Sequence, residues 1–285
     1  MGKFDGVLFV TDLDDTLLNR KKELTRENRE AIEYFVGEGG VFTYATGRSY
    51  QGFERTRLFL PLYGPVILSN GAMIYDYYQE KRLHTSFMDF RCLEAAQQVA
   101  QRFPEVAVEI YQLERVFLHR TNRATQTHLS RVGIADQVIR VESLEAAPLP
   151  WLKAIFAHEP EYLQEVERYF RSHFGEEFEL VYSEPRLLEM QDLQSNKAAG
   201  VRKLAQLLEI GEDNIYCAGD QQNDLSMVRA FHSFGVRQLL VQLPGPSAPD
   251  SHLQDRKAPL RRPRGGRKGP RGSRCKGGHR NERSR

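Results

Sequence analysis

The chain has 285 residues, 40% hydrophobic and 27% charged, with a formal net charge of +2. Its longest apolar runs fall far short of the roughly 20 residues that a membrane-spanning helix needs. Three widely spaced cysteines, Cys92, Cys217 and Cys275, argue against a disulfide framework or a zinc knuckle. The N-terminus leads straight into a strand-like segment without a secretory pattern, so a cytoplasmic protein is expected, with Cys92 and Cys217 buried. The small net charge hides a split: residues 245–285 carry 13 Lys and Arg against 3 Asp and Glu, and residues 1–244 carry 27 against 35. The globular part is acidic, and one end is basic.

Residues 6–11 read as a short buried strand ending at Asp12. A helix follows, with Thr25 as its N-cap, an apolar stripe of Ala31, Ile32, Phe35 and Val36, and Gly37, Gly39 and Gly40 at its end. Residues 41–45 form a second strand, running into Thr46-Gly47-Arg48. Residues 49–60 look helical, 65–68 strand-like, and Asn70-Gly71 marks a hairpin into residues 72–75. This alternation predicts a parallel sheet covered on both faces.

From about residue 85 the texture changes. Helices are expected near 93–103 and 159–174, and strands at 106–111, 115–119, 137–141, 152–157 and 178–182. This α+β stretch is long enough to fold as an inserted unit. Lys197 then opens a helix over 198–208, and a strand at 214–218 ends in Gly219-Asp220. The expected organisation is core 1–84, cap 85–185, core 186–243, and a basic tail 244–285. The tail is rich in Arg, Gly, Pro and Ser, and such a segment is expected to be disordered. Its abrupt onset predicts that it arose from a shifted reading frame near residues 232–245. Its charge suits at most nonspecific contact with nucleic acid, since it lacks interleaved aromatics.

The chemistry-bearing residues sit at strand ends. Asp12 and Asp14 are two apart, so an extended chain presents both to one side. Neighbouring carboxylates repel, which favours a shared proton or a bound cation. That pattern suits Asp12 as nucleophile and Asp14 as proton exchanger, although an Asp-rich turn after a strand is the plain alternative. Asp220 is placed to complete an oxygen site for Mg²⁺ with Asp12, and Asn223 and Asp224 can orient ligands or water; an ordinary helix cap would look similar. The Thr46 hydroxyl and the backbone N–H groups around Gly47 suit a phosphate oxygen. Lys197 at a helix start opposes the helix dipole and so calls for an anion. Carboxylates, a hydroxyl and a lysine at the C-terminal ends of parallel strands are the inventory for phosphoryl transfer. Trp151, Tyr111, Tyr162 and Tyr169 read as packing residues, and the eight histidines show no metal-ligand spacing.

These segments resemble the haloacid dehalogenase superfamily, in particular its Cof-type sugar-phosphatase branch with a type IIB cap. Phe9-Val-Thr-Asp12-Leu-Asp14-Asp15-Thr16 looks like the first motif of that family, Ala45-Thr46-Gly47-Arg48 like the second, Asn196-Lys197 like the third and Gly219-Asp220-Gln-Gln-Asn223-Asp224 like the fourth. Ser69-Asn70-Gly71-Ala72 is similar to a hairpin of the branch. The resemblance implies a Rossmann-like core with an inserted α+β cap. It implies Mg²⁺ held by the Asp12 carboxylate, the Asp14 backbone carbonyl and Asp220, with Asp224 supporting them. Thr46, Gly47, Lys197 and Asn223 would hold the phosphate. The implied activity is Mg²⁺-dependent hydrolysis of small phosphorylated metabolites, sugar phosphates foremost, through a phosphorylated Asp12. A phosphomutase on the same fold, or a non-catalytic variant with an altered C-terminus, is the alternative. Two departures stand out: Asp15 occupies a position where the branch usually has Gly, and the family's last strand-helix-strand elements give way to the basic tail.

Overall fold

Leu8–Thr11, almost continuously apolar, forms β1 at the centre of a sheet, with Leu8 and Val10 fully buried. The computed structural model describes residues 2–19 and 21–235; the expected basic tail lies outside the described residues. The first helix, α1 (Arg26–Gly37), starts where Thr25 accepts a hydrogen bond from the backbone N–H of Asn28. Strand β2 (Val41–Tyr44) pairs in parallel with β1. The next helix, α2 (Tyr50–Thr56), is capped by Ser49 and runs into a 3₁₀ turn at Arg57–Phe59. Then come β3 (Val66–Leu68), β4 (Met73–Asp76) and β5 (Lys81–Thr85), an antiparallel ribbon. The sequence reading placed residues 65–68 in the parallel sheet. Instead β3 touches that sheet through a single parallel bridge, Ala45 to Ile67, because its pairing partner is β4, which in turn pairs with β5.

A second layer follows: α3 (Cys92–Arg102), β6 (Ala107–Tyr111), β7 (Val116–His119), α4 (Arg123–Val132), β8 (Val138–Val141), β9 (Lys153–Ala157), α5 (Pro160–Phe174), β10 (Phe178–Glu184) and β11 (Leu187–Asp192). Its strands form one sheet in the order β10-β11-β9-β6-β7-β8. This sheet runs on to Asp192, past residue 185, because β11 pairs with both β9 and β10. Trp151, Phe156 and Phe170 are buried at its centre, each worth roughly 1.5–3 kcal/mol of burial. That core makes the layer a firm wall for whatever lies against it. The chain then returns through α6 (Lys197–Leu207), β12 (Ile215–Gly219), α7 (Leu225–Ala230) and β13 (His232–Gly235). Strands β13-β12-β1-β2 are all parallel, as the alternation of strand and helix predicted.

Two backbone features set the site. Asp15 has φ of 66°, a conformation that glycine adopts freely and Asp tolerates. This explains why the resembling branch has Gly there. Asp15→Gly is expected to raise stability by about 0.5 kcal/mol in urea unfolding, since the half-exposed Asp15–Lys22 pair it removes contributes little. A drop in stability would mean that the pair outweighs the strain.

Ser69, Asn70 and Gly71 all have positive φ (49°, 52° and 104°), a tight left-handed run between β3 and β4. Gly71 packs against the start of α6, where a Cβ would sit 2.2 Å from the Asn196 carbonyl oxygen. Strain and overlap together make Gly71→Ala destabilising by about 3–5 kcal/mol, measurable in the same unfolding assay. A loss below about 1 kcal/mol would contradict this packing.

Candidate active site

Four parallel-strand ends and loops converge where β1 and β12 stop. The Asp12 amide donates to the Ala218 carbonyl at 2.9 Å, which draws the first and last motifs together. Carboxylate oxygens of Asp12, Asp220 and Asp224 lie within 4.8 Å of one another, although more than two hundred residues separate the first pair in sequence. All three are buried. The Lys197 ammonium, fully buried, lies 2.6 Å from Asp12 Oδ1 and also bonds Asp224 Oδ1. The first-turn position of α6, capped by Asn196, delivers it there.

Asp224 accepts three hydrogen bonds. Its Oδ2 accepts from the backbone N–H groups of Asp220 (2.9 Å) and Gln221 (2.8 Å), so it braces the turn that carries Asp220. Gly219 permits this closeness: a Cβ there would stand 2.5 Å from the Asp224 side chain. Asp220 accepts from the Thr16 hydroxyl and, at 3.2 Å, from the Gln221 amide. Burial pushes the Asp12 carboxyl up to about 7; Lys197 pulls against this, while Asp224 and Asp14 add to it. Burial likewise raises Asp220. Burial opposes the charge of Lys197, but Asp12 and Asp224 outweigh it and hold the ammonium above the usual lysine range. Three carboxylates against one ammonium leave two negative charges in a buried place. A divalent cation with oxygen preference fits that donor set.

Asp14 behaves differently from the extended-chain expectation. The chain turns after Asp12, and the Asp14 carboxylate is gripped by Arg48 through Nε (2.9 Å) and Nη2 (3.0 Å), with Lys22 at 3.2 Å. Burial alone would raise its pKa, but the Arg48 hydrogen bonds and charge, with Lys22, bring it down to about 2. Thr46, buried, accepts from the Arg48 amide at 3.1 Å. Asp12, Asp14, Thr46, Gly47 and Asn223 line one cavity of about 240 Å³. Lys197, Asp220 and Asp224 lie behind it, joined through Asp12. Thus the expected residues assemble, with Lys197 bonded to the carboxylates rather than lining the cavity.

The far wall of the cavity comes from the second layer, and sequence reading missed it. Lys153, buried on β9, bonds the Gly47 carbonyl at 2.9 Å and Glu189 of β11 at 2.6 Å. Asn70 donates to Glu189 at 3.1 Å and accepts from Asn223 at 3.0 Å, tying the two layers behind the phosphate-type loop. Glu109 of β6, fully buried, accepts from the Tyr111 hydroxyl (2.7 Å) and from His128 Nδ1 (2.9 Å). His128 and Tyr111 both line the cavity, and Tyr111 is also packed in a hydrophobic core, as expected. A signal did exist: Glu109 and Lys153 are charged residues in otherwise apolar strands, where a charge needs a partner.

Comparison with known proteins agrees with this architecture. The family profile of the haloacid dehalogenase-like hydrolases matches residues 9–237. The chain is 27% identical over 227 residues to the putative phosphatase YxeH of Bacillus subtilis, covering 78% of this chain and 83% of that one. It is 26% identical over 259 residues to the 5-amino-6-(5-phospho-D-ribitylamino)uracil phosphatase YcsE of the same organism, covering 88% and 92%. The solved structure of the subclass IIB sugar phosphatase BT4131 superposes with a TM-score of 0.66 at 17% identity, over 80% of this chain and 86% of that one. The protein belongs to the haloacid dehalogenase-like hydrolases, as a phosphatase-type enzyme of the Cof group. No helix among the described residues is long and apolar enough to cross a membrane.

Proposed function

We propose that the protein is a Mg²⁺-dependent phosphomonoesterase acting on small phosphorylated metabolites, sugar or polyol phosphates foremost, through a phosphoaspartate on Asp12. The observation that carries this reading is the buried cluster of Asp12, Asp220 and Asp224 around one lysine, two negative charges in excess, opening to a cavity through Asp12. The relative YcsE, named for a phosphorylated ribityl compound, supports the substrate class.

Asp12 Oδ1 is held by Lys197, which leaves Oδ2 without a hydrogen-bond partner among the described residues and available for attack. In the proposed first step Oδ2 bonds to phosphorus, the ester P–O bond breaks, and the leaving oxygen takes a proton. Water then attacks phosphorus, its proton passes to Asp14, and phosphate departs while Asp12 is regenerated. Asp14, ionised in the Arg48 grip, is set for the second step. Serving as acid in the first requires Arg48 to loosen. Thr46, Gly47 and Asn223 would hold the phosphoryl oxygens, and Lys197 would keep Asp12 ionised. Mg²⁺, held by the Asp12 and Asp220 carboxylates and the Asp14 carbonyl with Asp224 in support, would offset charge on the phosphoryl group.

The test is phosphate release from p-nitrophenyl phosphate before and after EDTA, with Mg²⁺ restored. Activity should vanish with the chelator and return with the metal. An undiminished rate in EDTA would remove the metal from the reading, and, in a parallel incubation with a hexose phosphate, isomerised sugar phosphate in place of free phosphate would turn it toward a mutase.

A further inference from the structure

The second layer supplies a wall in which each basic side chain already has a carboxylate partner. Lys153 is paired with Glu189 (2.6 Å), Arg131 with Glu184 (2.7 Å), and His128 with Glu109 (2.9 Å). On the opposite side Arg48 and Lys22 are already engaged by Asp14. Among the described residues, no cation lining the cavity lacks a carboxylate. A second anion on the substrate would therefore find no unclaimed positive charge and would face Glu184 and Glu189.

Two of these pairs leave one polar function each for a ligand. Glu109, when ionised, can only accept, so the His128 nitrogen beside it, Nδ1, is the one that donates. In the neutral ring Nε2 then carries the lone pair, on a side chain that lines the cavity. An accepting nitrogen suits a hydroxyl and gives a carboxylate or phosphate oxygen nothing. Lys153 has three N–H bonds, of which Gly47 and Glu189 take two. The third is free to donate. One acceptor and one donor on the same wall match a hydroxyl group, which is both.

We infer that His128 and Lys153, aimed by the buried carboxylates Glu109 and Glu189, determine specificity by hydrogen-bonding an uncharged, hydroxyl-rich leaving group, and that the charge-matched wall rejects substrates with a second anion. This rests on the phosphatase reading above and deepens it. Buried carboxylates on strands hold both side chains in place, so the selectivity is built into the layer.

The experiment compares kcat/KM for an alditol monophosphate, a phosphorylated aldonic acid of equal length, a hexose bisphosphate and p-nitrophenyl phosphate. The parent protein should prefer the alditol phosphate over both compounds that carry a second anionic group by about tenfold or more. In His128→Phe and Lys153→Met, the ratio of kcat/KM for alditol phosphate to that for p-nitrophenyl phosphate should fall about tenfold. Equal or better turnover of the aldonate or bisphosphate by the parent overturns the inference, and this arm needs no variant to fold. A ratio unmoved in both variants, with the two rates falling together, also overturns it, since that is the mark of a structural role. Phosphate release from none of the four compounds overturns the phosphatase reading itself, and the inference with it.

Discussion

On the proposed mechanism, Asp12→Asn is expected to lower Mg²⁺-dependent phosphate release by at least about 10⁴-fold, the scale seen when a covalent nucleophile is removed. The amide keeps the shape of the side chain but has no anionic oxygen to attack phosphorus. Its Oδ1 can still accept from Lys197, so the fold should survive; burial of a neutral amide is also easier than burial of a carboxylate whose pKa is already pushed up to about 7. The expected pattern is a dead enzyme that melts no earlier than the parent. Single-turnover phosphate release and a thermal melt on the same sample check both halves. Turnover within tenfold of the parent would reject Asp12 as the nucleophile, and the cluster behind it would then need another explanation.

Lys197→Met has the second large effect, and it falls on stability as well as on rate. The ammonium is wholly buried and bonds both Asp12 and Asp224. Its loss strands two carboxylates in a site that water cannot reach freely, at a cost of about 3–5 kcal/mol. Asp224 also holds the Asp220 and Gln221 amides, so repulsion between the stranded charges disturbs the turn that carries Asp220. Urea unfolding in EDTA should show the loss in full. Added Mg²⁺ should recover part of it, because a divalent cation offsets the same two charges. Destabilisation below about 1 kcal/mol in EDTA would mean that the lysine is not holding the carboxylates together.

Much of the core was legible in the chain because its signals are local. An apolar run such as Leu8–Thr11 needs cover on both faces, Thr25 and Asn196 cap the helices that follow them, and alternating strands and helices imply parallel pairing. Cys92 and Cys217 are buried as expected. Elements with weaker patterns escaped: α4 and β11 were not foreseen, because Arg123–Val132 is mostly polar and Leu187–Asp192 carries Glu and Gln between its apolar residues. Those two elements supply His128, Arg131 and Glu189, so part of the missed wall is missed structure, whereas Tyr111 and Lys153 lie on strands that were foreseen.

Asp12, Asp14, Thr46, Gly47, Lys197, Asp220, Asn223 and Asp224 could be named from sequence because each sits beside a strand end or helix start that announces itself. Their number and chemistry pointed to phosphoryl transfer before any distance was known. Only the tertiary structure decided how they are paired: Lys197 with Asp12 and Asp224, and Asp14 with Arg48 instead of with Asp12. The second layer's pairings were likewise settled only by the fold, since Glu109, His128, Lys153 and Glu189 meet through strand register and sheet packing. Local propensity fixes which backbone conformation a residue takes, whereas the energy of a buried charge depends on which partner the fold brings within about 3 Å.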